Sequence, residues 1–183
     1  GVATRGKYAT TIEGAKGLKV RVPSNFPNPQ TMQTLGYQAT AIAWGETYTS
    51  IQTGVVDGDA GNVIYWDYEY FRDVLDYYVR TKHTFATGVL SMNQESWDDL
   101  NEAQQQVVAD AALAVMSKQF EDARARDQLY VEKAIEGGME YIEPTEEEIR
   151  AFAIAAREQV WPLMEDELGA EIVEAVKANA PQP

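Results

Sequence analysis

The sequence predicts an α/β fold, because short β-like runs alternate with helical patterns through the first half of the chain. A second observation is the change of pattern after residue 92, where long helical periodicity replaces the alternation. We therefore divide the chain into residues 1–92 and residues 93–183. No linker rich in Gly and Ser separates these segments, so we expect them to form one compact structure.

The strands of the predicted sheet lie mainly in the first segment. A strand at 18–22 ends at Pro23, and Asn28 followed by Pro29 is typical of a helix N-cap and first turn. Gly36 suits the end of that short helix. The elements predicted next are a strand at 39–43, a helix at 46–52, a strand at 55–56, a helix at 64–80 and a strand at 85–92.

The second segment is predicted to be mostly helical. Asn101 and Gln104 form a capping box that opens a long helix, which runs to the glycine pair at 137–138. A short strand at 140–142 follows, and then Thr145 and Glu148 open another helix that Pro162 must kink or end. The interrupted apolar stripe of the long helix indicates one-sided burial, and residues 178–183 are expected to fray.

Composition and charge limit the classes of protein and partner. The 183 residues are 45% apolar and include four Trp and ten Tyr, as expected of a chain that buries a sizeable core. The N-terminus lacks the layout of a signal peptide, so the signal of an exported protein would lie outside this sequence. The formal net charge of −14 lies entirely in residues 91–183, which leaves a neutral first half that can hold an anion site. No stretch supplies the basic face that a nucleic acid requires.

Few residues are available for catalysis. The chain has one histidine, His83, and no cysteine, so it cannot assemble a nucleophilic triad or a thiolate metal site alone. We interpret His83 as a structural or surface residue. The run from Val56 to Asp59 resembles the start of a calcium loop but lacks the later oxygen ligands, and a turn is the favoured interpretation. No cofactor is expected.

Arg21 is the main candidate for a binding residue, because it is a charged side chain within an apolar strand. The helix predicted near Asn28 begins shortly after that strand, so a guanidinium and a helix N-terminus could point into one space. Arginine offers a planar pair of donors that matches a carboxylate. A structural ion pair is the alternative use of a strand arginine, and the residues alone leave both open.

Two motifs resemble a known family. Residues 17–23, GLKVRVP, look like the GLKxRxP segment of the solute-binding proteins of tripartite ATP-independent periplasmic (TRAP) transporters, the DctP family. About thirty residues later, Glu46-Thr47-Tyr48 and residues 51–58, IQTGVVDG, look like a second signature of that family. The resemblance continues at residues 81–83 and at the helix after Asn101, and it covers the chain from about residue 12 onward.

The resemblance implies a type II periplasmic-binding-protein-like fold of two α/β lobes that closes on its ligand by hinge bending. On this basis, residues 1–92 are a hinge strand with the second ligand-binding lobe, and residues 93–183 are a long connecting helix with C-terminal helices. The resemblance also implies a periplasmic location, a small organic acid as ligand, TRAP permease subunits as partners, and no enzymatic reaction.

The resemblance also assigns site residues. In the family, the arginine of the first motif forms a salt bridge to the ligand carboxylate, and here that residue is Arg21. A loop position beside the ligand corresponds to Asn25, and an aromatic position before the second motif corresponds to Trp44. A strand arginine upstream of the first motif is matched to Arg5.

Residues after the second motif differ from the sialic-acid-binding relatives. Those proteins carry Gln-Glu-Asn-Pro there, and their asparagine contacts the ligand, whereas this chain has Gly61 at the asparagine position. Sialic acid is therefore disfavoured as the ligand. Asn62, Tyr65 and Trp66 are expected to form a different polar and aromatic wall.

The chain is shorter than the roughly three hundred residues typical of the family. We expect the N-terminal half of the first lobe to be missing, and we expect the chain to self-associate through exposed sheet edges or through the long helix. Two alternatives to a ligand-binding subunit stay open. One is a truncated structural or oligomerising remnant without ligand binding, and the other is an enzyme that uses Asp57 and Glu46.

Overall fold

A computed structural model describes residues 1–181, in which six strands form one mixed sheet. The strands are β1 (Val2–Thr4), β2 (Lys19–Val22), β3 (Gln38–Ala41), β4 (Gly58–Asp59), β5 (Tyr77–Val79) and β6 (Glu140–Ile142). Their order across the sheet is β3-β2-β4-β1-β5-β6. Strand β2 runs parallel to β3 and β4, β5 runs parallel to β6, and β1 is antiparallel to both of its neighbours.

The helices pack on both faces of this sheet. They are α1 (Ile12–Ala15), α2 (Asn28–Thr34), α3 (Thr47–Gln52), α4 (Ile64–Phe71), α5 (Gln94–Asp98), α6 (Glu102–Glu136), α7 (Glu146–Gln159), α8 (Trp161–Leu168) and α9 (Ala170–Asn179). Val2 packs in one buried cluster, with Met32 of α2 and Phe152 of α7. Ala3 packs in a second cluster, with Ile64 of α4 and Ala134 of α6. Because successive strand residues point to opposite faces, the two clusters form the two sides of a three-layer α/β/α structure.

Local signals located most boundaries of the predicted helices correctly. Both predicted capping boxes are present, at Asn101 with Gln104 and at Thr145 with Glu148. Gly36 ends the segment after α2 with φ of +93°, a backbone conformation that other residues rarely adopt. Asn28 is the first residue of α2 and not its N-cap, which is Pro27. The prediction at Pro162 is confirmed, since α7 ends at Gln159 and the proline lies in the first turn of α8.

The helix predicted at 64–80 is wrong in its second half. Helix α4 ends at Phe71, and Tyr77–Val79 is strand β5, which pairs with β1 on one side and β6 on the other. Tyr78 and Val79 are buried in this central position. Aromatic residues suit both helices and strands, and here the strand partners determine the outcome.

Two predicted strands are also wrong. The strand placed at 55–56 lies instead at Gly58–Asp59, between β1 and β2. Residues 85–92 form no strand, and no strand among residues 1–181 pairs with them. Phe85 and Val89 are 81% and 91% exposed. A β-like composition is insufficient where no partner accepts the backbone hydrogen bonds.

The two predicted segments share one sheet, because β6 comes from the second segment and pairs with β5 of the first. One-sided burial of the 35-residue helix α6 is found only near its C-terminal end, where Ala134 is buried. Leu113 and Phe120, earlier in the same helix, are 69% and 80% exposed.

Fraying was predicted from residue 178, but α9 extends to Asn179, and residues 182–183 lie outside the described part of the chain. Within residues 1–181, no helix combines the length and apolar character that a membrane crossing requires.

Candidate functional site

The candidate site lies at the carboxyl edge of the parallel strands β2, β3 and β4. Arg21 is the third residue of β2 and stands opposite Asp59 of β4 and Thr40 of β3. Trp44 follows β3 at the same edge, where a short 3₁₀ turn leads into α3. In open α/β sheets this edge is where ligands bind, so the topology brings a cation and an aromatic ring to a suitable position.

Two nitrogens of the Arg21 guanidinium are held by the protein. Nε donates to the carbonyl oxygen of Ile42 at 2.8 Å, and Nη1 donates to Oδ1 of Asp59 at 3.1 Å. The Arg21 side chain is 5% exposed, and among residues 1–181 no partner accepts from Nη2. Nη2 is not fully buried, so it remains available to a ligand. A rigid guanidinium with one open nitrogen can bind an anion without rearranging.

Asp59 and Asp67 form a buried carboxyl pair beside this arginine. Both side chains are 0% exposed, and the Asn62 amide links them by donating to Asp59 Oδ2 at 2.6 Å and to Asp67 Oδ1 at 3.3 Å. Burial raises the pKa of both groups, and Asp59 raises that of Asp67 further, whereas the Arg21 guanidinium lowers the pKa of Asp59. Asp59 accepts from Arg21, from the Gly61 amide and from Asn62, while Oδ2 of Asp67 has no partner in the described chain. The ionised form is therefore better stabilised at Asp59 than at Asp67.

Gly61 allows the loop after β4 to approach the guanidinium. A Cβ at this position would lie 2.5 Å from Pro23 Cδ and 2.9 Å from Arg21 Nη1, closer than atoms can pack. Its amide donates to Asp59 Oδ2 at 3.1 Å. The glycine therefore supports the ion pair through its backbone, and Asn62 supports it through its side chain.

His83 contacts the loop after β4 through its ring nitrogens. Its Nε2 lies 3.1 Å from the carbonyl oxygen of Ala60, and its Nδ1 lies 2.6 Å from the hydroxyl oxygen of Thr81. Because a carbonyl only accepts, Nε2 carries the proton and Nδ1 accepts from Thr81. Burial lowers the pKa of His83 to about 3, so the ring is neutral. The interpretation of His83 as structural agrees with these contacts.

An aromatic wall, defined here as Trp44, Trp66 and Tyr70, stands beside the guanidinium. Trp44 meets Trp66 edge-on at 6.2 Å and Tyr70 edge-on at 5.5 Å, and Trp66 stacks on Tyr70 at 5.5 Å. Cζ of Arg21 lies 5.7 Å from the centre of the Trp44 ring. Trp44 and Trp66 are 39% and 41% exposed, so their faces are available to a carbon skeleton.

The remaining predicted site residues are Asn25, Tyr65 and Arg5, and they differ in position relative to Arg21. Asn25 is exposed in the loop after β2, where its carbonyl oxygen accepts from the backbone amide of Asn28 at 3.1 Å. Tyr65 contacts Trp66 on one side and Tyr130 of α6 on the other, so it supports the wall from behind. Arg5 follows the antiparallel strand β1, so it lies at the opposite edge of the sheet, where its Nη1 donates to the Gln52 carbonyl oxygen.

Comparison with known proteins identifies the family of this chain. A family model described as bacterial extracellular solute-binding protein, family 7, matches residues 3–167. The chain belongs to this family. The resemblance to TRAP solute-binding proteins is thereby confirmed, and members of family 7 are binding proteins and not enzymes.

Several TRAP solute-binding proteins are similar over nearly all of this chain. The ectoine-binding periplasmic protein TeaA of Halomonas elongata is 28% identical in an alignment that covers 97% of this chain and 53% of that protein. The solved structure of that protein, from the TeaABC TRAP transporter, matches with a TM-score of 0.89 and covers 97% of this chain and 58% of the other. The predicted fold class is confirmed by this agreement.

Two further solved TRAP solute-binding proteins contain a bound acid. A TRAP solute-binding protein of Sulfitobacter sp. NAS-14.1 with bound β-D-galacturonate is 28% identical, with a TM-score of 0.84 over 94% of this chain and 57% of that one. A protein of Polaromonas sp. JS666 bound to D-erythronate is 27% identical, with a TM-score of 0.87 over 98% and 59%. This chain spans a little over half the length of these relatives.

Sequence reasoning missed three residues that contact the predicted site in this family 7 chain. Asp59, Asp67 and Tyr70 were not among the predicted site residues, although all three contact members of the site. The sequence around Asp59 resembles a turn, so it gave no local signal of a strand beside the arginine strand. Within residues 1–181, no group of three or more His, Cys, Asp or Glu side chains is arranged to hold a metal ion.

Proposed function

We propose that this protein is the extracytoplasmic solute-binding subunit of a TRAP transporter, which captures a small organic carboxylate and delivers it to a membrane permease. The observation that carries the proposal is the open Nη2 of Arg21, held at the carboxyl edge of the sheet by two other hydrogen bonds. A ligand carboxylate can accept from Nη2 while its carbon skeleton packs against Trp44 and Trp66. Asn25 supplies a polar contact from the adjacent loop.

The comparisons support the chemical class of the ligand. Galacturonate and erythronate, which occupy two of the similar structures, are both carboxylates. Both relatives cover almost the whole of this chain at 27–28% identity. We therefore place the protein in the periplasm, as its relatives are, and assign small hydroxylated acids as the first ligands to test.

Replacing Arg21 by Lys is expected to weaken carboxylate binding by about 10- to 100-fold, since charge-assisted hydrogen bonds contribute about 1.5–3 kcal/mol each. Lysine keeps a positive charge for Asp59 but lacks the second nitrogen that faces the ligand. The measurement is a thermal-shift screen against a panel of organic acids, followed by calorimetric titration of each acid that stabilises the protein.

Arg5→Lys is the matched control, because Arg5 is an exposed arginine at the other edge of the sheet. Its affinities should match those of the unsubstituted protein. An equal loss in both variants, or stabilisation by no acid, would contradict the proposal. The second outcome would favour the alternative of a structural remnant without ligand binding.

A second proposal concerns self-association through α6. Leu113, Met116 and Phe120 follow one another at intervals of three and four residues, so they form one apolar stripe. The same stripe continues to Ala134, where it packs onto the second core cluster. Leu113 is 69% exposed, whereas Ala134 is fully buried. We infer that a second copy of the chain covers the exposed part of the stripe.

Light scattering across a concentration series is expected to give a mass above that of the monomer, and Leu113→Glu is expected to return it to the monomer value. Val107→Glu is the control, because Val107 is 68% exposed but lies on the opposite side of α6. A monomeric mass at all concentrations would exclude the proposal. An equal effect of both variants would show that the stripe is not specific.

A further inference from the structure

We propose that His83 is a positioning residue of the Arg21 site, which holds the loop after β4 in the place where that loop supports the guanidinium. This inference rests on the proposed carboxylate site. The contacts of His83 have a structural role, but its partner Ala60 is also hydrogen-bonded to the backbone of Arg21. His83 thus contributes to ligand affinity as well as to stability.

The carbonyl oxygen of Ala60 lies where the ladder between β2 and β4 stops. The Ala60 amide donates to the carbonyl oxygen of Arg21 at 2.9 Å. In a parallel ladder, a residue that donates to position 21 accepts in turn from the N–H of position 23. Position 23 is Pro23, which has no N–H, and within residues 1–181 no backbone amide donates to the Ala60 carbonyl. The ladder therefore leaves this carbonyl without a donor.

His83 supplies the missing donor from the segment that follows β5. Its Nε2 lies 3.1 Å from the Ala60 carbonyl oxygen, and the hydroxyl of Thr81 lies 2.6 Å from Nδ1. Ala60 is buried in the same core cluster as Val2, so water has little access to its backbone. Because a buried carbonyl without a donor is costly, loss of the imidazole would drive the loop to move until this carbonyl reaches water.

The backbone before His83 is strained, which indicates that the surrounding contacts hold it in place. Lys82 has φ of +53°, in the left-handed region that residues other than glycine rarely adopt. The Lys82 side chain is exposed, so its own packing does not explain this conformation. The turn at Lys82 brings the His83 ring onto the hydroxyl of Thr81 and onto Ala60.

A displacement of the loop would reach Arg21 through two donors. Gly61, the residue after Ala60, donates its amide to Asp59 Oδ2 at 3.1 Å, and Asn62 donates to the same oxygen at 2.6 Å. Asp59 in turn holds Nη1 of Arg21 at 3.1 Å. A shift at Ala60 would loosen both donors that fix the Asp59 carboxylate. The guanidinium would then lose the fixed orientation that favours ligand binding.

Two substitutions at His83 separate the two contacts of the ring. The side-chain amide of His83→Gln takes the position of Nε2 and can donate to Ala60, whereas the shorter His83→Asn keeps only an acceptor near Nδ1 for Thr81. The affinities are measured by calorimetric titration with D-galacturonate, D-erythronate and any further acid that stabilises the protein. His83→Asn is expected to bind about tenfold more weakly, and His83→Gln should stay within about threefold of the unsubstituted protein. Equal losses in both variants, or an unchanged affinity of His83→Asn, would overturn the inference.

Two further measurements require no ligand. Hydrogen exchange of the Gly61 amide should be at least about tenfold faster in His83→Asn than in His83→Gln, because the loop has lost a fixed point. The ring nitrogen chemical shifts of the unsubstituted protein should show the tautomer with its proton on Nε2. A proton on Nδ1 would mean that the ring does not donate to Ala60. That result would sink the inference without any variant, even if His83→Asn failed to fold.

The outcomes separate this inference from the proposed function. If Arg21→Lys loses carboxylate binding but His83→Asn binds as tightly as His83→Gln, the carboxylate site stands and only the role of His83 in affinity fails. If no acid binds the unsubstituted protein, the proposed function fails and this inference fails with it, whatever the exchange rate of the Gly61 amide.

Discussion

Replacing Gly58 by Ala is expected to lower the free energy of unfolding by about 3 kcal/mol or more. Gly58 lies in β4, which pairs with β1 on one side and β2 on the other. A Cβ at this position would overlap the carbonyl oxygen of Ala3 and would lie 2.8 Å from Thr4 Cα. Both are backbone atoms of a paired strand, so neither can move without breaking the sheet.

Gly45→Ala is the control for this prediction, because a Cβ at Gly45 would meet nothing within 4 Å. Its unfolding free energy should change by less than about 0.5 kcal/mol. Urea denaturation of both variants measures the difference. Equal stability of the two variants would mean that β1 can shift away from β4, contrary to its burial between β4 and β5.

The same strand shows why the sequence predicted the site only in part. Arg21 was identified because it lies in a four-residue strand whose neighbours are apolar, which is a local signal. Strand β4 has only two residues, Gly58 and Asp59, and glycine and aspartate are both rare in strands. Its existence depends on β1 and β2, which are distant in the sequence. The partner of the arginine was therefore hidden in a segment that resembles a turn.

Features that depend on neighbouring residues were predicted well. The capping boxes of α6 and α7 each involve hydrogen bonds between residues three positions apart, such as Asn101 with Gln104. Such bonds form irrespective of what packs on the helix. Burial of α6 could not be predicted in this way, because the same apolar stripe is buried at Ala134 and exposed at Phe120. The difference depends on α4, which packs only against the C-terminal part of α6.

The charged form of His83 is expected to destabilise the folded protein in mild acid. Burial lowers the pKa of His83 to about 3, whereas an unfolded histidine titrates near 6.5. Between these values the unfolded chain binds a proton that the folded chain does not. The contribution of His83 is thus fully present above pH 6.5 and is lost as the pH falls, by about 1.4 kcal/mol per pH unit.

Urea unfolding of the protein and of His83→Gln between pH 7 and pH 4.5 tests this expectation. The difference in unfolding free energy between the two should fall by about 2–3 kcal/mol over that range. Subtraction removes the contribution of Asp67, whose raised pKa acts with the opposite sign because its stabilising proton is lost as the pH rises. Parallel curves would contradict the prediction.

The imidazole resonance offers an independent check, because His83 is the only histidine of the sequence. Its chemical shift should stay constant from pH 8 to pH 5 in the folded protein and should titrate near pH 6.5 in urea. A folded-state midpoint near 6 would mean that the ring reaches solvent. The loop that carries Ala60 and Gly61 would then be loosely held, and the guanidinium of Arg21 would lack the fixed support on which a selective anion site depends.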